Sequence, residues 1–166
     1  MAMVRIAEET DYEAIVLRAI LERNERQFQD VMRKIKDAVG SLLYRRRIAV
    51  YGLAFNAGTA DVRNSLAMRL VNGLLRERAF VRAYDPLAVG EARAVLPSET
   101  CVDDPYDAVS GAEALVIATE WSEFRELDFA EVLRRMASLV IVDGRNLLPG
   151  EEMKRIGFSY WGIDVR

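Results

Sequence analysis

From Asp11 onward the apolar side chains Ile15, Val16, Ala19, Ile20, Phe28, Val31, Met32, Ile35, Ala38 and Val39 recur every three to four positions, the spacing of one helix face. Asp11 is placed to cap the start of this helix and Gly40 to stop it. A continuous helix of about 28 residues would run roughly 42 Å, longer than a small domain is wide, so it either protrudes or packs on something else. Asn24 and Gln27 fall where the period asks for apolar side chains. Two readings stand: they meet a ligand or a second subunit, or they form a solvated break in a surface helix.

After the basic turn Arg45-Arg46-Arg47 the period changes. Ile48 to Phe55 is a short continuous apolar run ending in a Gly-containing loop, as expected of a strand buried on both faces. Ser65 to Arg76 reads as a helix and Ala79 to Asp85 as the next strand, stopped by Pro86. The alternation continues with a helix from Gly90 to Leu96, a weak strand near Cys101, a helical turn after Pro105 and a strand from Ala114 to Trp121. Phe129 to Met136 is helical, Leu139 to Gly144 a strand, Glu151 to Ile156 helical, and Phe158 to Val165 a last strand. Strands separated by helices predict repeated βαβ units, hence an α/β, Rossmann-like open parallel sheet with helices on both faces. The one boundary falls near Gly40, dividing a long helix, residues 1–40, from a sheet domain, residues 41–166.

The chain of 166 residues is 51% apolar and 30% charged, which fits one compact domain and excludes a disordered segment. A net charge of -3 gives no reason to expect a nucleic acid or a membrane surface as partner. No histidine is present, which removes His-based nucleophile systems and His-ligated zinc. The single cysteine, Cys101, allows no intrachain disulfide and fits a reduced, cytoplasmic setting. No apolar run approaches the ~20 residues of a membrane span, and the start lacks the pattern of a signal peptide.

In such sheets ligands collect at the carboxyl ends of the strands. The loop from Asn56 to Ser65 is longer than its connection requires, which suggests a ligand loop. Ser65 can cap the following helix, and Arg63 can offer a two-pronged donor to phosphate oxygens or simply pair with Asp61. Gly52 and Gly58 are too far apart for a GxGxxG fingerprint. Asp85 stands where a ribose-binding acid would, yet is equally an ordinary turn starter before Pro86. Glu120 is a base, a binder of sugar hydroxyls, or merely the end of a strand. Arg145, after Asp143-Gly144, reaches a phosphate or ribose, or pairs with Asp143 to hold the turn. Cys101 has no basic neighbour in sequence and reads as a buried, inert thiol. Lysine occurs only at positions 34, 36 and 154, none at a strand end, which argues against Schiff-base chemistry.

The stretch Gly52-Leu-Ala-Phe-Asn-Ala-Gly-Thr-Ala-Asp-Val-Arg-Asn-Ser65, with Tyr84-Asp-Pro86, Ala118-Thr-Glu-Trp121, Phe124 and Asp143-Gly-Arg145, resembles in order and spacing the C-terminal domain of the UDP-glucose/GDP-mannose dehydrogenase family. The long helix with Asn24-Glu-Arg-Gln27 resembles the end of that family's central helix, and Thr119-Glu-Trp121 leans toward the UDP-glucose branch. The resemblance implies a cytoplasmic enzyme that oxidises UDP-glucose with NAD to UDP-glucuronate. It implies that Phe55 and Asn56 approach the UDP-sugar, that Arg145 contacts its nucleotide part, and that Arg63 reaches NAD held mainly by another domain. The family's central helix forms a dimer core, so a homodimer through the N-terminal helix is expected.

Three departures from the family pattern matter. Neither the GxGxxG loop nor the Gly-Gly-x-Cys motif that supplies the family's thiol is present, so the chain is expected to be a domain fragment, inactive alone, in which Cys101 has no catalytic role. Asn56 stands where the family usually has lysine, removing one charge beside a diphosphate. Ala60 and Asn64 replace residues that are commonly acidic. The alternatives are a stand-alone nucleotide-sugar-binding module and a dimerisation unit without catalysis. The binding reading rests on two guanidinium groups, Arg63 and Arg145, meeting in one crevice.

Overall fold

The computed structural model describes residues 15–163, with side chains from residue 22 on. Helix α1 spans Ile15–Val39 and ends as expected at Gly40, whose N–H returns to the Lys36 carbonyl at 2.9 Å. Asp11 and the side chains of positions 15–20 lie outside the described residues, as does Val165. The second half of α1 packs on the sheet, with Val31, Met32 and Ile35 buried. Each such side chain contributes on the order of 1.5–3 kcal/mol, enough to fix this half of the helix.

Five strands follow, β1 (Arg47–Tyr51), β2 (Phe80–Tyr84), β3 (Ala114–Ile117), β4 (Val140–Asp143) and β5 (Ser159–Gly162), all parallel in the order β2-β1-β3-β4-β5. Between them lie α2 (Leu66–Arg76), α3 (Val89–Arg93), α4 (Pro105–Val109), α5 (Phe129–Arg135) and α6 (Gly150–Ile156). This is the parallel α/β architecture the alternation predicts. The weak strand near Cys101 is a single parallel bridge to Ala83, on the outer side of β2.

Because side chains alternate along each strand, the sheet feeds two cores. Ile48, Val50, Val81, Ala83, Ala114, Val116 and Val142 face α1, α2 and α3. Ala49, Tyr51, Leu115, Ile117 and Ile141 face α4, α5 and α6. Burial on both sides explains why β1 and β3 read as unbroken apolar runs.

The strands are shorter than those runs. Leu53 and Ala54 are buried but have left the ladder, and the last strand stops at Gly162. From β1 the chain crosses by α2 to β2 on one side, then returns to β3 on the other. The carboxyl ends of β1 and β3 therefore flank the point where strand order reverses.

Candidate functional site

Asp85, just past β2, organises this edge of the sheet. It is only 2% exposed, and five donors converge on its carboxylate. Oδ2 accepts from the Leu53 and Ala54 amides at 2.7 and 3.0 Å and from the Trp121 indole at 3.2 Å. Oδ1 accepts from Leu87 and Ala88 at 2.9 and 2.8 Å. The turn-starter reading is thus correct and incomplete, since the same carboxylate ties down the segment leaving β1. Its acceptor sites are filled by the protein, which leaves a ribose hydroxyl nothing to bond.

The rest of that segment is tightly built. Gly52 adopts φ +95°, and a Cβ there would lie 2.5 Å from Thr119. The Ala54 carbonyl accepts from Thr119 Oγ1 at 3.1 Å and from Ser65 Oγ at 3.2 Å. Ser65 also caps α2, accepting from the Met68 amide at 3.3 Å, as its sequence position predicts.

Beyond Ala54 the loop turns outward, and Phe55 and Asn56 are both exposed. The Phe55 amide donates to the Asp61 carbonyl at 2.8 Å, closing the loop on itself. Arg63 grips Asp61 with Nε and one terminal nitrogen at 2.9 and 2.8 Å while its side chain stays 84% exposed. That pair lowers the Asp61 carboxyl to about 2. The Arg63–Asp61 pairing is therefore the observed arrangement.

Arg145 stands at the end of β4. Its Nε donates to the Ala118 carbonyl at 2.9 Å and lies 3.2 Å from Glu120 Oε2. Its two terminal nitrogens make no hydrogen bond among the described residues, and the side chain is 24% exposed. Asp143 does not pair with the guanidinium. It accepts from the Arg145 amide at 3.0 Å, the Leu148 amide at 2.8 Å and the Tyr160 hydroxyl at 2.9 Å. Burial is the first cause that pushes the Tyr160 hydroxyl up, with the Asp143 charge adding to it. Glu120 accordingly serves as a counter-charge to Arg145, and the glycine between Asp143 and Arg145 lets β4 end close against β3.

Arg63 and Arg145 both follow strands at the carboxyl edge, each held by its own carboxylate, and no contact among the described residues joins them in one crevice. Beside Arg145 a small apolar crevice opens between α1, the start of α2 and the ends of β3 and β4, lined by Phe28, Val31, Leu66, Leu70, Ile117, Ala118 and Gly144. Gln27 reaches this edge, its amide 3.5 Å from the Gly144 carbonyl, while Asn24 is exposed. The interrupted apolar stripe and the resemblance of Asn24-Glu-Arg-Gln27 to the family's central helix were the sequence signals for Gln27. Trp121 and Thr119 were legible as strand-end residues but not as the ties they form.

The groups present do not make a dinucleotide cradle. Thr119 fills the space that Gly52 leaves open, and Asp85 is saturated. Cys101 is buried, and burial pushes its thiol up, the opposite of an activated nucleophile. Among the described residues no cluster of acidic or cysteine side chains could hold a metal, and no helix is long and apolar enough to cross a membrane.

A model of the UDP binding domain of the UDP-glucose/GDP-mannose dehydrogenase family matches residues 49–150. A UDP-glucose 6-dehydrogenase of Pseudomonas aeruginosa is 39% identical over 168 residues, covering 98% of this chain and 37% of the relative. One from Bacillus subtilis is 36% identical over 163 residues, covering 98% and 35%. Among solved structures, a UDP-glucose dehydrogenase from the hyperthermophilic archaeon Pyrobaculum islandicum superposes with a TM-score of 0.78 at 31% identity, over 97% of this chain and 35% of the other. The chain spans a little over a third of the length of the curated relatives it matches.

Proposed function

The chain belongs to the UDP-glucose/GDP-mannose dehydrogenase family, and from that premise we propose that it is the UDP-sugar-binding portion of a cytoplasmic, NAD-dependent enzyme oxidising UDP-glucose to UDP-glucuronate. The observation that carries this reading is Arg145. Anchored through Nε on Ala118 and Glu120, it keeps both terminal nitrogens unbonded among the described residues, beside the switch point of the sheet. A guanidinium fixed at one nitrogen loses little further freedom when its remaining prongs meet a phosphate.

Phe55 and Asn56, exposed on the loop after β1, approach the same ligand. Asn56 contributes hydrogen bonds without charge, so it orients the UDP-sugar and adds less to affinity than a cation would. Arg63, 84% exposed on the same loop, would offer its guanidinium to NAD, the hydride acceptor, were that cofactor held beside this edge. The residues of this chain take no chemical step in that transfer. They bind and position the nucleotide end of the substrate. The apolar residues Ile15, Val16, Ala19 and Ile20 in the helical stripe support a homodimer through the N-terminal helix.

Titration calorimetry with UDP-glucose tests the reading. Binding is expected, with loss in Arg145→Ala. An absence of heat from the unaltered chain at millimolar ligand would overturn it.

A further inference from the structure

The amino-terminal edge of the sheet, opposite the site just described, carries a groove with a different character. Arg45, Arg47, Arg78 and Arg82 line it, against one acid, Glu99, in a chain whose net charge is -3. Arg45 and Arg78 are neighbours through their backbones, the Arg45 amide donating to the Arg78 carbonyl at 2.9 Å. Both adopt left-handed backbone, φ +62° and +59°, where glycine or asparagine costs less.

The side chains of Arg45, Arg47 and Arg78 make no hydrogen bond or ion pair among the described residues. Arg46, between two of them in sequence, turns away to Glu113, and Arg82 donates to the Asp107 carbonyl at 3.2 Å. Glu113 accepts the Arg47 amide at 3.2 Å and pairs with Arg46, and Glu99 lies in the lining, but neither pairs with the three guanidinium groups, whose mutual repulsion an anion would relieve.

Two further observations belong to the same groove. Thr100 is buried on its wall, and its Oγ1 finds no hydrogen-bond partner among the described residues. The rings of Tyr44 and Phe80 are more than half exposed beside the arginines. Unpaired guanidinium groups next to open ring faces suit a ligand with both phosphates and a flat heterocycle.

We propose that this groove is a second anion site, taking a nucleoside polyphosphate with its phosphates on Arg45, Arg47 and Arg78 and its base against Tyr44 or Phe80. A concave wall and a localised charge favour a small ligand over an extended polyanion, which would need a basic stripe.

The test is an amide-resolved NMR titration of the full 166-residue chain with ATP and, separately, with inorganic triphosphate. ATP is expected to shift amides of residues 44–47, 78–82 and 99–101. Arg47→Gln with Arg78→Gln should weaken that response by about tenfold or more, since each lost charged hydrogen bond is worth about that factor. Triphosphate should bind several-fold more weakly than ATP, a gap that closes in Tyr44→Ala with Phe80→Ala. Arg145→Gln, at the other edge, should leave all of this unchanged. Shifts confined to the carboxyl edge, or rim midpoints unmoved in the arginine double variant, would overturn the site. Equal midpoints for ATP and triphosphate would overturn the nucleoside assignment.

Discussion

Asp85 and Trp121, 36 residues apart in the chain, meet across the carboxyl edge of the sheet, the indole nitrogen donating to Oδ2 at 3.2 Å. That oxygen also holds the Leu53 and Ala54 amides, so one carboxylate locks the exits of three strands. Asp85→Ala strands several buried donors, each worth about 1–3 kcal/mol, and should lower stability by roughly 3–5 kcal/mol in urea unfolding. Trp121→Phe removes the donor and trims the indole to a smaller phenyl ring packed on the same core, so a loss of about 1–2 kcal/mol is expected.

Gly52→Ala should be as harmful as a core truncation. The backbone is left-handed there and the new methyl would strike Thr119, so a loss of about 2 kcal/mol or more is expected in the same assay. A change within 0.5 kcal/mol would show that β1 and β3 yield at this contact.

The Asp61–Arg63 pair makes a pH prediction. Hydrogen bonds from Arg63 depress the Asp61 carboxyl from 3.8 to about 2, so the pair is whole above about pH 4 and is lost as pH falls through about 2. A carboxyl-detected NMR titration should place the midpoint near 2 and return it toward 3.8 in Arg63→Ala.

Glu120→Gln should tighten the binding of UDP. The substitution removes a negative charge 3.2 Å from Arg145 Nε at a half-exposed position, where solvent screening limits the gain to about two- to five-fold. The gain should shrink with added salt in calorimetry. Weaker binding would mean that the carboxylate itself holds the ligand or the arginine's pose.

Much of the fold was legible because a strand covered on both faces leaves an unbroken apolar run, and such runs alternate with helical spacing along the whole chain. The runs overstate the strands where burial and pairing part company. Leu53 and Ala54 are as buried as β1, but their amides go to Asp85 instead of a neighbouring strand. The site residues could be named one by one from strand ends. Their couplings could not, since Arg145 meets Glu120 only because β4 lies beside β3, a consequence of strand order that no local pattern encodes. Gln27 shows the same limit, its polar break visible in sequence and its partner 117 residues away.

Gly144 leaves no slack where the long helix meets the sheet. A side chain there would come within 2.9 Å of the Ile117 carbonyl oxygen and 3.3 Å of a Val31 methyl, and the next residue is Arg145. Helix, β3 and β4 are thus keyed together at one glycine, so any larger residue at position 144 would have to displace either Val31 or the strand end that carries Arg145.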